Sequence, residues 1–219
     1  MKNISDYIDH TSLRPDDDKR KIEQLCQEAI THQFKAVCVA PYYVSLAHRM
    51  LENKGVKVAT VIGFPLGYTP TVAKVEVIKR AIDEGADELD VVINLAAVKS
   101  EDWTTVTSDI DSCTRATHLK GKIIKVIIET SILSETEIDR ICTICTKIGV
   151  DYIKTSTGFN GSGATLEVVR YLRDKLPSDI KIKASGGIRT FAQAKALIEA
   201  GADRLGSSSG VSLLNNEDQ

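Results

Sequence analysis

The feature that most limits what this chain can fold into is an alternation. Short runs rich in β-branched residues take turns with longer amphipathic runs along its 219 residues. The short runs are Lys35–Ala40, Lys57–Ile62, Glu88–Asn94, Lys122–Glu129, Asp151–Thr155, Ile180–Ala184 and Asp203–Gly206. The long runs cover roughly 19–33, 42–53, 70–84, 100–118, 135–148, 165–175 and 191–200. Strands that alternate with helical patterns of this length predict βαβ units and a parallel sheet. Ser134 with Glu137, and Thr190 with Gln193, have the spacing of capping boxes. Pro70 stands where a first-turn proline would. Gly85, Gly149 and Gly201 each follow a long run and precede a strand, the place for a left-handed residue past a helix end. Their recurrence is a weak internal repeat of the βα unit.

Seven strands are clear, and Tyr7–Leu13 offers an eighth. Eight βα units in a chain of this length predict a compact parallel (β/α)8 TIM barrel, with 1–219 as a single catalytic domain. The alternative is an open doubly wound sheet. Against it, no Gly-x-Gly-x-x-Gly follows the first strand, and the glycine-rich loops come after the later strands.

Composition removes several partners. The formal net charge is −2, which gives no electrostatic reason to expect nucleic acid or a membrane surface. No apolar run approaches the roughly 20 residues that span a bilayer. Met1 to Asp9 lacks the basic-then-apolar order of a signal peptide. Five cysteines are an odd count in a medium-sized chain, which fits a reducing compartment, read here as the cytoplasm.

Parallel strands covered on both faces should be almost wholly apolar. Asp90, Lys125, Lys154 and Lys183 interrupt four of them, within or near their C-terminal parts. There they would converge on the barrel mouth, where active sites of this fold sit. Lys181 and Lys183 are two apart and share a face. Lys183 is the better functional candidate because it directly precedes Ala184-Ser185-Gly186-Gly187. A lysine amine is a nucleophile only when neutral, and both burial and a neighbouring ammonium favour the neutral form. One lysine can then attack a carbonyl while another keeps it neutral, and Asp90 can move protons through a water. The imine formed is an electron sink, so a C–H or C–C bond beside the former carbonyl can break. This points to a class I aldolase or a related imine-forming lyase.

Glycine-rich loops follow the last three strands. They are Thr155-Ser156-Thr157-Gly158, Ser185-Gly186-Gly187-Ile188 and Gly206-Ser207-Ser208-Ser209-Gly210. Backbone N–H groups at such helix entrances bind phosphate without formal charge. Other features read as structural. Cys142 and Cys145 lie inside a helical pattern with no second pair. His10, His32, His48 and His118 have no metal-ligand spacing, and Asp16–Asp18 favours the start of the next helix.

At these residues the sequence resembles the deoxyribose-phosphate aldolase family over nearly its whole length. The most specific match is Asp151-Tyr152-Ile153-Lys154-Thr155-Ser156-Thr157-Gly158-Phe159, similar to the family's Schiff-base segment. Beside it, in order, stand Asp9-His10-Thr11, Gly63-Phe64-Pro65-Leu66-Gly67, Glu88-Leu89-Asp90-Val91-Val92, Lys125-Val126-Ile127-Ile128-Glu129-Thr130, Lys183-Ala184-Ser185-Gly186-Gly187-Ile188-Arg189 and Arg204-Leu205-Gly206-Ser207-Ser208-Ser209.

The resemblance implies reversible cleavage of 2-deoxy-D-ribose 5-phosphate to acetaldehyde and D-glyceraldehyde 3-phosphate, in deoxyribose phosphate catabolism. It implies Lys154 as the imine-forming nucleophile, Lys183 as the partner that keeps it neutral, and Asp90 with Lys183 as proton shuttle. Asp9, Thr11, Lys125 and Thr157 would bind substrate, with Lys125 adding charge beside the imine. Gly158, Gly186, Gly187, Ser207 and Ser208 would surround the phosphate. No metal or organic cofactor is implied.

Two departures stand out. Some members carry a phosphate-holding lysine where Phe159 stands, so weaker affinity for the phosphorylated substrate is expected. Some end in a tyrosine that assists proton transfer, whereas this chain reads Asn215-Asn216-Glu217-Asp218-Gln219. A barrel of this size is expected to self-associate, with a dimer favoured. Two other readings stay open at this point. One is a different imine-forming or phosphate-binding barrel lyase or isomerase. The other is a non-catalytic sugar-phosphate binder, which would not need the set Asp90, Lys154 and Lys183.

Overall fold

β-Branched residues suit a pleated strand covered on both faces. The computed structural model, which describes residues 3–214, puts them there. The first half of the chain runs β1 (Ile8–Ser12), α1 (Lys19–Thr31), β2 (Ala36–Val39), α2 (Val44–Leu51), β3 (Lys57–Ile62), α3 (Thr71–Asp83) and β4 (Glu88–Val92). Two helices, α4 (Leu95–Lys99) and α5 (Trp103–His118), precede β5 (Ile123–Ile127). Then come α6 (Glu135–Ile148), β6 (Tyr152–Lys154), α7 (Leu166–Lys175), β7 (Lys181–Ser185), α8 (Phe191–Glu199), β8 (Arg204–Ser207) and α9 (Gly210–Leu214). All eight strands pair in parallel in sequence order. β8 closes on β1 with Ile8 opposite Leu205 and Asp9 opposite Gly206. The open-sheet alternative is excluded.

The helix signals have physical counterparts. Both capping boxes form, Ser134 with Glu137 and Thr190 with Gln193. Gly85, Gly149 and Gly201 all have positive φ. Asp18, from the acidic run, caps α1 by accepting from the Lys21 N–H at 2.8 Å. Pro70 occupies the N-cap of α3 and not its first turn, one residue from its expected place. The run 100–118 is also shorter than expected. α4 stands apart from α5 because Asp102 caps the latter through the Thr105 N–H.

The main apolar core lies between strands and helices. Ile22, Leu89, Ile124, Ile153 and Leu172 are almost fully excluded from water. Each such side chain contributes roughly 1.5–3 kcal/mol. Cys142 and Cys145 belong to this core on α6, and burial pushes the Cys142 thiol up to about 12. Lys74 of α3 is buried too. It donates to Asp109 of α5 at 2.6 Å and to the Val92 carbonyl at the end of β4 at 2.8 Å. No described helix is long and apolar enough to cross a membrane.

The barrel interior departs from the usual filling of branched apolar side chains. Among the described residues, Cys38, Ala59 and Val61, from β2 and β3, form a small apolar cluster there, packed against Leu13 and Phe64. Charged side chains fill much of the rest.

Candidate active site

Period-two alternation sends Glu88 and Asp90 of β4 to the same face. The sheet then sets charged residues side by side. Asp90 lies opposite Lys125, Lys154 opposite Lys183, and Lys183 opposite Arg204. Lys154 is the last residue of β6. Asp90, Lys125 and Lys183 are the middle residues of their strands, one level deeper than the sequence pattern suggests. Lys181, at the start of β7, is exposed, whereas Lys183 is buried.

These side chains share one hydrogen-bonded network. Asp90 Oδ2 accepts from Lys154 Nζ and from Lys183 Nζ, each at 2.8 Å, and Asp90 Oδ1 accepts from Lys125 Nζ at 2.8 Å. Lys183 also donates to Asp9 Oδ2. Asp9 Oδ1 accepts from Arg204 Nη1 at 2.6 Å. The Arg204 fork reaches both oxygens of Glu88, at 3.0 and 3.2 Å. Glu88 Oε2 in turn lies 2.5 Å from Lys125 Nζ. All seven residues are buried.

Burial alone would neutralise each group, yet the opposite charges around it prevail. Burial raises the carboxyls of Asp9 and Asp90. Lys183, Arg204 and Lys125 beside the first, and Lys125, Lys154 and Lys183 beside the second, hold both well below the usual range. Burial disfavours the ammonium groups of Lys125 and Lys183. Asp90 and Glu88 around one, and Asp9 and Asp90 around the other, raise both above the ordinary lysine value. The ammonium form of Lys183 is therefore favoured beside Lys154.

Above the network opens a cavity of about 350 Å³. Eight residues singled out from the sequence line it: Thr11, Lys154, Thr157, Gly158, Gly186, Gly187, Ser207 and Ser208. The other four, Asp9, Asp90, Lys125 and Lys183, lie beneath its floor. Ser207 is partly committed elsewhere, because its hydroxyl donates to the Ile188 carbonyl at 2.8 Å and accepts from the Ser209 N–H at 3.0 Å. Phe159 stands at the rim, half exposed and edge-on to Phe64. The chain end Asn215–Gln219, where a terminal tyrosine would matter, lies outside the described residues.

Three contributors carried no role in the sequence pattern. Glu88 and Arg204 complete the network. Glu129, buried at the end of the β5 run with φ 56°, accepts from the Thr157 N–H and hydroxyl and from Asn160 Nδ2. It thereby fixes the loop after Lys154. The spacing of Glu88 from Asp90 could have revealed the first. Arg204 and Glu129 gave no local signal, since one follows an aspartate at a strand start and the other ends a strand run.

The loops after β6 and β7 touch through glycines. A Cβ on Gly163 would sit 1.9 Å from the Gly186 carbonyl oxygen. Gly186 itself has φ 88° and would meet Gly163 Cα at 2.8 Å. Gly163→Ala must therefore displace the loop after β7. Steady-state kinetics should show KM for a phosphorylated substrate rising about tenfold or more, with a smaller change for the unphosphorylated sugar, since displacements near 1 Å are costly. Equal effects on both would mean that this loop does not face the phosphate.

Among the described residues, no group of three or more His, Cys, Asp or Glu side chains is placed to hold a metal ion. A family model described as DeoC/LacD family aldolase matches residues 4–217. The deoxyribose-phosphate aldolase of Thermococcus gammatolerans is 50% identical over 214 residues, covering 97% of this chain and 95% of its own. The solved structure of QR15, an aldolase, superposes with a TM-score of 0.93 at 44% identity, covering 98% of this chain and 96% of that one. A deoxyribose phosphate aldolase from Aeropyrum pernix, described as having a unique tetrameric structure, gives a TM-score of 0.92 at 30% identity, covering 99% of this chain and 91% of that one. The chain belongs to the DeoC/LacD family of aldolases.

Proposed function

We propose that this chain reversibly cleaves 2-deoxy-D-ribose 5-phosphate to acetaldehyde and D-glyceraldehyde 3-phosphate through an imine on Lys154. Family membership makes it a lyase of the deoxyribose-phosphate aldolase kind. One observation carries the choice of residue. Of the seven charged side chains in the buried network, Lys154 alone lines the cavity. It is the amine that a substrate carbonyl can reach.

In the cleavage direction the Lys154 amine adds to the open-chain aldehyde carbon, and loss of water gives the protonated imine. Removal of the proton from the hydroxyl two carbons along breaks the C–C bond. Its electrons move into the imine, leaving an enamine and releasing glyceraldehyde 3-phosphate. Protonation of the enamine carbon and hydrolysis then release acetaldehyde and restore the amine. Asp90 Oδ2 bridges Lys154 and Lys183, so a proton can pass among the three with little movement. Lys125 adds positive charge beside the imine, and Asp9 and Thr11 shape the floor. Thr157 and Gly158, with the loops of Gly186, Gly187, Ser207 and Ser208, receive the phosphate end. The apolar Phe159 leaves that grip to backbone groups, hydroxyls and Arg14 and Arg189, which line the cavity.

The chain acts as one catalytic domain without a metal or organic cofactor, in the cytoplasm, where its five cysteines stay reduced. The described structure has all five free. A homo-oligomer is part of the same proposal. Tyr42, Tyr68 and Val72 expose apolar side chains, and the Aeropyrum pernix relative is described as tetrameric.

Borohydride reduction in the presence of acetaldehyde, followed by peptide mapping, tests the assignment. An ethyl group is expected on Lys154 and on no other lysine. An adduct that persists in Lys154→Leu, or no adduct in the native chain, would overturn it.

A further inference from the structure

The network beneath Lys154 is a closed ring. Running from Arg204, it passes to Asp9, Lys183, Asp90, Lys125 and Glu88, and returns to Arg204. Cations and carboxylates alternate at every step, and the six formal charges cancel. Lys154 is the seventh member. It hangs from Asp90 Oδ2, which already serves Lys183, so it has no carboxylate of its own. With Lys154 as an ammonium the buried cluster carries one uncompensated positive charge. With Lys154 as an amine it carries none.

We infer that Glu88 and Arg204 are positioning residues for the aldol reaction, which close a self-neutral ring under the floor and thereby favour the amine form of Lys154. The inference rests on the imine role of Lys154 proposed above. Neither residue lines the cavity, so both act through others. Arg204 orients Asp9, which holds Lys183, and Glu88 orients Lys125, which holds Asp90.

Lys181, exposed at the start of β7, adds a cation outside the ring, its ammonium 5.5 Å from the centre of the Tyr152 ring. β2 presents Cys38, whose thiol burial pushes up and so keeps neutral. β3 presents Ala59 and Val61, and β6 adds the Tyr152 phenol, 3.4 Å from Arg204 Nη2. At the rim, Arg14 is paired with Asp16, and Arg189 stands on the loop after β7. Glu129 faces the loop after β6 and is occupied by Thr157 and Asn160.

The two positioning residues carry opposite charges, so their removal has opposite consequences. The acid limb of kcat/KM reports the free enzyme. Glu88→Gln leaves the ring one unit positive and should move that limb to lower pH. Arg204→Met leaves it one unit negative and should move the limb to higher pH. A unit charge within about 10 Å at an effective dielectric near 20 shifts such a limb by about one pH unit. The double variant restores neutrality and should return the limb close to its native position. Arg204→Lys keeps the charge but loses the fork, so the limb should stay while thermal stability falls.

Shifts in the same direction, or no shift in either single variant, would overturn the inference. So would a double variant whose limb fails to return. Should Arg204→Met not fold, Glu88→Gln alone must still move the limb to lower pH, or the inference fails. Failure of the native chain to form an adduct on Lys154 is a different result, and it would sink the aldolase reading instead.

Discussion

Lys183→Leu should slow imine formation at neutral pH by roughly tenfold to a thousandfold, the range expected when a charge within about 6 Å changes the protonation of its neighbour. Lys154 and Lys183 lie 2.8 Å from the same oxygen of Asp90, which places the two nitrogens within that reach. Leucine removes the Lys183 ammonium and leaves the ring one unit negative. The ammonium form of Lys154 then gains a carboxylate, and the amine becomes scarce. The defect should shrink as pH rises and the amine is recovered. Cyanoborohydride trapping with acetaldehyde over a pH series would measure this. A rate that falls by the same factor at every pH would show that Lys183 acts only by packing.

Asp90→Asn should have the second large effect, and its pH signature should have the opposite sign. Asp90 accepts from three lysines. An asparagine would turn an NH₂ toward at least one of them and leave the cluster with excess positive charge. Breaking a buried pair by removing one partner costs about 3–5 kcal/mol, which urea unfolding would detect. The excess charge favours the amine of Lys154, so the acid limb of the pH profile should move down. The rate should nevertheless fall by about 10²–10⁴, the usual worth of a positioned proton-transfer group. A variant that keeps native kcat would remove Asp90 from the reaction.

The linkage sign follows from the lowered carboxyl. Stability supplied by Asp90 is present above the ordinary aspartate value of 3.8 and is lost as pH falls through its lower folded value. The stability gap between Asp90→Asn and the native chain should therefore persist across the neutral range and close only in strong acid.

The barrel was legible because each βα unit repeats the same grammar. A β-branched run, a capped amphipathic run and a glycine past the helix end recur, and both capping boxes form where their spacing put them. Lys154, the proposed imine former, was legible for the converse reason, as a charge where the repeat demands an apolar residue. Depth was harder to read. Lys181 and Glu88 both open strands and both share a face with a key residue two positions on. One is exposed and the other is 1% exposed, because strand tilt and stagger around the barrel, which no single strand encodes, decide which start lies inside. Arg204 was hidden for the same reason. Its partners Asp9 and Glu88 stand 195 and 116 residues away. Glu129 was hidden because its left-handed backbone and its grip on Thr157 arise only when the loops after β5 and β6 meet.

The ring also has a provenance. Its three carboxylates, Asp9, Glu88 and Asp90, come from β1 and β4, whereas Lys125, Lys183 and Arg204, together with Lys154, come from β5, β7, β8 and β6. The first half of the chain thus brings only negative charge to the centre, and the second half only positive. A half-barrel closing on a copy of itself would trap like charges at its axis. Joining the unlike halves pairs these charges across the interior. The charges that favour the complete eight-stranded form over a doubled half are thus the same ones that surround Lys154.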